Sequence, residues 1–188
     1  MFIRGQLFFF AVCGRSVAKT VYLSLGSNIG DRARNLQAAL QQLNGPALRI
    51  LRTSPVYETE PVEFTAQRWF VNLVAEAETE LFPMQLLART SQVERALGRV
   101  RGVPKGPRTI DIDIVFYARS VIHSAKLEIP HPGIPARRFV LVLLADLAPN
   151  LRHPVTHKTV REMLDAAPKQ AVHPFVMPTA YNGTDELE

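Results

Sequence analysis

The spacing of apolar residues predicts a chain that alternates between strands and helices. Leu36, Leu40 and Leu43 recur at the spacing of one helical face, whereas the segments on either side follow the two-residue period of strands. Glycine and proline residues separate these segments, as expected for turns and helix ends. The predicted elements are strands at residues 21–25, 48–57, 69–79 and 106–116 and helices at residues 31–44 and 83–98.

The order of these elements, β-α-β-β-α-β, is typical of ferredoxin-like proteins. We therefore predict an α+β fold, in which an antiparallel sheet carries both helices on one face and leaves the other face partly open. Beyond Tyr117, an apolar stretch at residues 139–147 and a short helix near Val160 and Met163 are expected to form C-terminal helical additions.

The last predicted strand carries two acidic residues on one face. Side chains alternate along a strand, so Asp111 and Asp113 point to one side, and Ile110, Ile112 and Ile114 point to a core on the other. Two like charges on one strand face repel each other, and a divalent cation between them removes that repulsion. Carboxylates with room for water and phosphate are typical ligands of Mg²⁺. An alternative is a solvated edge strand whose acidic residues prevent aggregation.

A basic segment precedes this strand. It contains no acidic residue, and its cations are Arg95, Arg99, Arg101, Lys105 and Arg108. Glycine and proline residues interrupt any regular structure there, so we predict a mobile basic loop. Cations that bind phosphates beside acids that bind Mg²⁺ are recurring parts of phosphoryl-transfer sites. The alternative is a surface loop whose charges only confer solubility.

The third predicted strand has a polar position on its second face. Phe70 and Asn72 are neighbours on that face, and they combine a flat apolar surface with an amide that both donates and accepts hydrogen bonds. This pair suits a planar heterocycle with amide-like edges. The alternative is that Phe70 belongs to the core and Asn72 supports a turn.

Length and composition are those of one globular domain. The chain has 188 residues, of which 47% are hydrophobic. We predict a disordered N-terminal extension at residues 1–20, one domain at residues 21–167 and a loose tail at residues 168–188. The net charge of +5 favours polyanionic ligands, which include nucleotides, nucleic acid and anionic membranes.

Two further features bear on the cellular location. Cys13 is the single cysteine, which excludes an intramolecular disulfide and fits a reducing compartment. The apolar run at residues 7–12 is far shorter than the roughly 20 residues that cross a bilayer, and it lacks a convincing cleavage site. We therefore expect a cytoplasmic protein that neither crosses nor binds a membrane.

Six short segments resemble one enzyme family. They occur in the order found in the 6-hydroxymethyl-7,8-dihydropterin pyrophosphokinase family of the folate pathway, and the resemblance covers about residues 21–166. The Gly-Pro-Arg-x-x-Asp-x-Asp stretch is the most specific of them. The segments are residues 25–30 (LGSNIG), 54–62 (SPVYETEPV), 70–72 (FVN), 98–101 (GRVR), 106–113 (GPRTIDID) and 129–132 (IPHP).

The resemblance implies transfer of pyrophosphate from the co-substrate ATP to the pterin hydroxymethyl group, with release of AMP. Asp111 and Asp113 would hold two Mg²⁺ ions, and Arg99 and Arg108 would contact ATP phosphates as catalytic cations. Arg101 would be an auxiliary cation in ATP binding. Three more residues match family positions near the nucleotide: Glu94, His131 and Arg137. For His131 we favour a hydrogen bond to an ATP phosphate over proton transfer. The alternative is that His131 has only a structural role in a turn.

By the same resemblance, Phe70 and Phe139 would sandwich the pterin ring and Asn72 would bind its amide edge. Backbone groups at Thr59 and Val62 would complete this recognition. The expected partners are small molecules only, and the chain is expected to be a monomer.

The chain departs from the family pattern in the basic loop. Lys105 stands where many members carry an aromatic residue, and Pro104 stands where a charged residue is common. We therefore expect altered loop closure over ATP.

Two other classes of protein use related features: an RNA-binding module with the same fold, and a metal-dependent nuclease or nucleotidyl transferase. The acids on the last strand disfavour the first class, and product identity distinguishes the second.

Overall fold

A computed structural model describes residues 18–62, 65–99 and 106–178. Arg101, Pro104, Lys105 and residues 1–17 of the predicted extension lie outside this part of the chain. The strands are β1 (Lys19–Ser27), β2 (Leu48–Thr53), β3 (Tyr57–Thr59), β4 (Phe70–Thr79), β5 (Asp111–Tyr117), β6 (Ile122–His123), β7 (Glu128–Ile129) and β8 (Val172–Pro174). The α-helices are α1 (Arg32–Leu43), α2 (Pro83–Ala96), α3 (Arg138–Leu147) and α4 (Val160–Ala166), and a 3₁₀ turn spans Ile134–Ala136.

Six strands form the main sheet. Its order is β5-β1-β4-β3-β8, and β2 also pairs with β4. All of these pairings are antiparallel. β1 pairs with β4 on one side and with β5 on the other, and its Gly26 lies opposite Asn72 on β4 and opposite Asp111 on β5. The chemically distinctive positions of three strands are therefore neighbours at one end of the sheet.

The predicted second strand is wrong in one respect, because it is two strands. β2 ends at Thr53 and β3 begins at Tyr57. Pro55 lies between them and has no N–H group to give to a ladder. Ser54 keeps the chain beside β4, since its N–H donates to the Val74 carbonyl at 2.8 Å and its Oγ accepts from the Val74 N–H at 3.0 Å.

One face of the sheet forms the larger core with α1 and α2. The alternation predicted for β5 is confirmed, because Ile110, Ile112 and Ile114 are buried in this core. The alternate residues of β4 from Val71 to Ala77 are buried in the same core. The helices contribute Leu36, Ala39, Leu43, Leu86 and Val93.

The other face is apolar at one end and polar at the other. A β-bulge between β1 and β5 lets the consecutive residues Val115 and Phe116 both face α3. With Tyr22 and Val74 they form a second core, which α3 and α4 cover. The C-terminal helices thus close half of the face that was predicted to be partly open, and the polar half remains accessible.

The predicted loose tail contains a strand. β8 pairs with β3, with Glu58 opposite His173. An edge strand presents unpaired N–H and C=O groups, and β8 satisfies those of β3. The indole of Trp69 also stacks on the His173 ring, with 5.5 Å between centroids and 9° between planes. At the other end of the domain, β1 begins at Lys19, inside the segment that was predicted to be disordered.

Among the described residues, the helices are too short or too polar to span a membrane.

Candidate active site

A cavity opens where the polar half of the sheet meets the loop after β3 and the start of α3. Strands β1, β4 and β5 form its floor, where the small or polar residues of β1 and β5 lie beside Phe70 and Asn72 of β4. Its lining residues are Ser24, Gly26, Thr59, Glu60, Pro61, Val62, Gln67, Phe70, Asn72, Arg108, Asp111, Asp113, Arg137 and Phe139.

The acidic end of the cavity is neutralised by arginines. Asp111 accepts from Arg99 at Oδ1 and from Arg108 at Oδ2, each at 2.6 Å. Asp113 accepts from Arg137 Nη1 at 3.2 Å. Burial raises the pKa of Asp111, and the charge of Asp113 raises it further, whereas the arginines oppose the shift. The two carboxylates are therefore close enough to repel each other, and they need cations around them.

Glu94 lies behind this acidic pair. It is in the last turn of α2, where it accepts from the Ile112 N–H at 2.8 Å and pairs with Arg99. Burial raises the pKa of Glu94, although the bond from Ile112 and the charge of Arg99 oppose the shift. Glu94 thus fixes β5 against α2 and orients the Arg99 guanidinium towards Asp111.

His131 lies beside Asp113, with 3.7 Å between its Nε2 and Oδ2 of Asp113. Burial lowers the pKa of His131, and the charge of Asp113 opposes this shift. The Gly133 N–H donates to His131 Nδ1 at 3.0 Å, so the neutral ring carries its proton on Nε2. At neutral pH, His131 therefore offers a donor on its Asp113 side.

The other end of the cavity combines aromatic rings with a buried amide. Asn72 is 3% exposed and donates from Nδ2 to Thr59 Oγ1 at 2.7 Å. Phe70 and Phe139 line the same cavity from β4 and α3. The Arg108 guanidinium carbon lies 5.5 Å from the centroid of the Phe70 ring, so this arginine contacts both ends of the cavity.

The structure brings together every described residue that the sequence singled out for the site. Glu94, Arg99 and His131 reach the cavity through Asp111 or Asp113, and Arg101 lies outside the described residues. The predicted residues that line the cavity directly are Thr59, Val62, Phe70, Asn72, Arg108, Asp111, Asp113, Arg137 and Phe139.

Known proteins of similar sequence identify the family of this chain. The sequence model of the 7,8-dihydro-6-hydroxymethylpterin-pyrophosphokinase (HPPK) family matches residues 22–149. The chain belongs to this family. The 2-amino-4-hydroxy-6-hydroxymethyldihydropteridine pyrophosphokinase of Aquifex aeolicus is 39% identical over 156 residues, which are 83% of this chain and 95% of that protein.

Some relatives of this chain are much longer proteins. The folic acid synthesis protein fol1 of Schizosaccharomyces pombe is 44% identical over 155 residues, or 82% of this chain. This chain spans about a fifth of the length of that protein and of its Pneumocystis carinii counterpart. Wild-type HPPK-DHPS of Plasmodium falciparum shares the fold with a TM-score of 0.66 at 18% identity, over 81% of this chain and 44% of the other.

The sequence analysis missed Asn28, which supports the cavity through Arg108. This residue, 1% exposed, follows β1, and its Oδ1 accepts from the Arg108 N–H at 2.7 Å. Its own N–H donates to the Arg108 carbonyl at 3.2 Å, and its amide donates to Gln67 and to the Arg68 carbonyl. Asn28 therefore positions the backbone of Arg108. The available sequence signal was an Asn in a turn directly after a buried strand.

We expect Asn28→Ala to lower the free energy of unfolding by about 1–3 kcal/mol, because it removes the acceptor of the Arg108 N–H. Turnover should fall about tenfold, since Arg108 then loses its fixed position beside Asp111. Urea unfolding and steady-state assays measure the two effects, and Asn150→Ala on an exposed loop is the control. Unfolding and turnover equal to those of the control would contradict the assigned role.

Proposed function

We propose that this chain transfers pyrophosphate from ATP to 6-hydroxymethyl-7,8-dihydropterin, which yields the pterin pyrophosphate and AMP in folate biosynthesis. The observation that carries the proposal is one cavity with two chemically different ends. An amide and two aromatic rings line one end, and two carboxylates surrounded by arginines line the other. Such a cavity suits a planar heterocycle beside a triphosphate.

The aromatic end suits the pterin. Phe70 and Phe139 offer ring faces for stacking, and the Asn72 amide can bind a heterocycle that presents both donors and acceptors. Thr59 accepts a hydrogen bond from the Asn72 amide, and Thr59 and Val62 both line the cavity, where their backbone groups are proposed to complete the recognition of the pterin. Catalysis at this end consists of binding and orienting the hydroxymethyl group towards the acidic end.

The oxygen ligands at the acidic end of the cavity suit Mg²⁺. Asp111 and Asp113 are hard oxygen ligands on one strand face, and both line the cavity. Mg²⁺ is usually bound by one or two carboxylates together with water and substrate phosphates, and two carboxylates here leave room for both. When bound, two Mg²⁺ ions would neutralise phosphate charge and help align the transferred group.

The cations around the carboxylates suit the phosphates of ATP. The guanidinium groups of Arg99, Arg108 and Arg137 are within reach of the two carboxylates, and a planar guanidinium can bind two phosphate oxygens at once. His131 adds a neutral donor at Nε2, which supports phosphate binding in preference to proton transfer. Arg101 is proposed as a further ATP contact on the resemblance alone, and Glu94 orients Arg99.

Two broader assignments complete the proposal. We assign the core to the ferredoxin-like group, which the antiparallel order β5-β1-β4 with β2 next to β4 and both crossover helices on one face supports. A cytoplasmic monomer that acts on small molecules remains our expectation from the sequence.

The test is AMP release by the purified chain supplied with ATP, Mg²⁺ and 6-hydroxymethyl-7,8-dihydropterin. We expect AMP and pterin pyrophosphate in equal amounts, and only when pterin and Mg²⁺ are both present. Reactions with EDTA, without pterin and with an RNA oligonucleotide in place of pterin are the controls. A folded protein that forms no AMP, or that forms it without pterin, would refute the proposal.

A further inference from the structure

The side chain of Gln170 joins two walls of the cavity that are far apart in sequence. Its Oε1 accepts from the Phe139 N–H at 3.1 Å, and its Nε2 donates to the Glu60 carbonyl at 2.9 Å. Glu60 belongs to the loop after β3 and Phe139 to the start of α3, and both line the cavity. An amide supplies the acceptor and the donor that this geometry requires.

The bond to Phe139 involves a helix terminus. Phe139 is the second residue of α3, and the first N–H groups of a helix have no partner within it. Arg137, which precedes α3, provides no side-chain cap. Gln170 therefore caps α3 from a distant segment, and it does so at the residue whose ring lines the cavity.

The position of Gln170 is itself fixed by its neighbours. The Ala171 N–H donates to Glu60 Oε1 at 2.8 Å, and the Glu60 N–H donates to the Ala171 carbonyl at 3.2 Å. Beyond Ala171, β8 pairs with β3, and the Phe175 N–H donates to the Val56 carbonyl at 2.8 Å. Gln170 thus lies two residues before β8, in a segment that Ala171 joins to Glu60, and its amide can therefore define a distance between the two walls.

We propose that Gln170 is a positioning residue for the heterocycle. By binding Glu60 and Phe139 at once, it sets the spacing between the loop after β3 and the Phe139 ring, and so it determines how tightly a planar ring is held between that ring and Phe70. The inference rests on the proposed function only in taking this ring to be the pterin. It assigns a binding role to a segment outside residues 22–149, the part that the HPPK family model matches.

The test compares Gln170→Glu and Gln170→Leu in the full chain with the wild type. The carboxylate keeps the acceptor but loses the donor to Glu60, and leucine loses both. We expect each variant to bind 6-hydroxymethylpterin about tenfold more weakly in fluorescence titrations, the loss expected for one or two hydrogen bonds. The KM for ATP and the kcat should stay within about twofold. Lys169→Ala, at the exposed neighbouring residue, is the matched control.

A structural role alone predicts a different pattern. If Gln170 only stabilised the fold, the melting temperature would fall and the affinities for pterin and ATP would change together. That pattern, or a pterin affinity within twofold of the wild type, would overturn the inference. Failure of the proposed function gives a different result, because it is seen in the wild type. Wild-type protein that binds pterin but releases no AMP would refute the reaction. The ratio of the pterin affinities of variant and wild type would still decide the role of Gln170.

Discussion

Asp113→Asn is expected to reduce turnover about a thousandfold or more while leaving the fold intact. Asparagine has nearly the same shape, but it removes the negative charge from a cavity wall where Mg²⁺ and phosphates are proposed to bind. Loss of a ligand that neutralises charge in the transition state costs several kcal/mol, and about 4 kcal/mol corresponds to a thousandfold. The measurement is the rate of AMP release at saturating ATP and pterin over a range of Mg²⁺ concentrations.

Asp113 is a cleaner test than Asp111. Asp111 bridges Arg99 and Arg108, so its replacement also releases two arginines inside the site. The matched control is Asp165→Asn, which makes the same chemical change at an exposed position of α4. Turnover in the Asp113 variant comparable to that of the control would refute the role of the β5 carboxylates, provided that both variants melt near the wild-type temperature.

Gly26→Ala is expected to weaken pterin binding by about 10- to 100-fold. A Cβ at this position would lie 2.3 Å from Asn72 Oδ1, much closer than real Cβ contacts allow. Asn72 cannot move aside without cost, because it is buried and bonded to Thr59. Its amide would turn away from the proposed pterin position, and the loss of the hydrogen bonds proposed there accounts for the expected range. Titration with 6-hydroxymethylpterin measures the effect, and the affinity for ATP should change less than about threefold.

The chain offers two controls for this substitution. Gly45→Ala makes the same change where no atom lies within 4 Å of the added Cβ, so affinity and stability should hardly change. In an Asn72→Ala background the clash is absent, and Gly26→Ala should then cause little further loss of affinity. Equal losses of affinity with and without Asn72 would show that Gly26 acts by another route.

Local pattern predicted much of the fold and of the site. Strand alternation placed Asp111 and Asp113 opposite the buried isoleucines, because the side-chain period of a strand is independent of its partners. The same period placed Phe70 and Asn72 together on the face of β4 that lines the cavity. Turn residues marked most element boundaries, although the prediction merged β2 and β3 because it followed the strand pattern across Pro55, whose missing N–H group breaks the ladder. The family followed from six short segments in a fixed order, which the family match confirms.

Only the tertiary structure decided how these faces meet. Register between strands placed Gly26 against Asn72, and the contacts of Asn28 with Arg108 and of Gln170 with Glu60 join residues 80 and 110 positions apart. Polar residues such as Asn28 and Gln170 carry no periodic signal, because a single side-chain hydrogen bond leaves no pattern in the surrounding sequence. The sequence by itself therefore predicted the residues that we propose to carry the chemistry of the site, and the structure gathers the described ones around one cavity. The packing of distant segments determined which residues hold them in place.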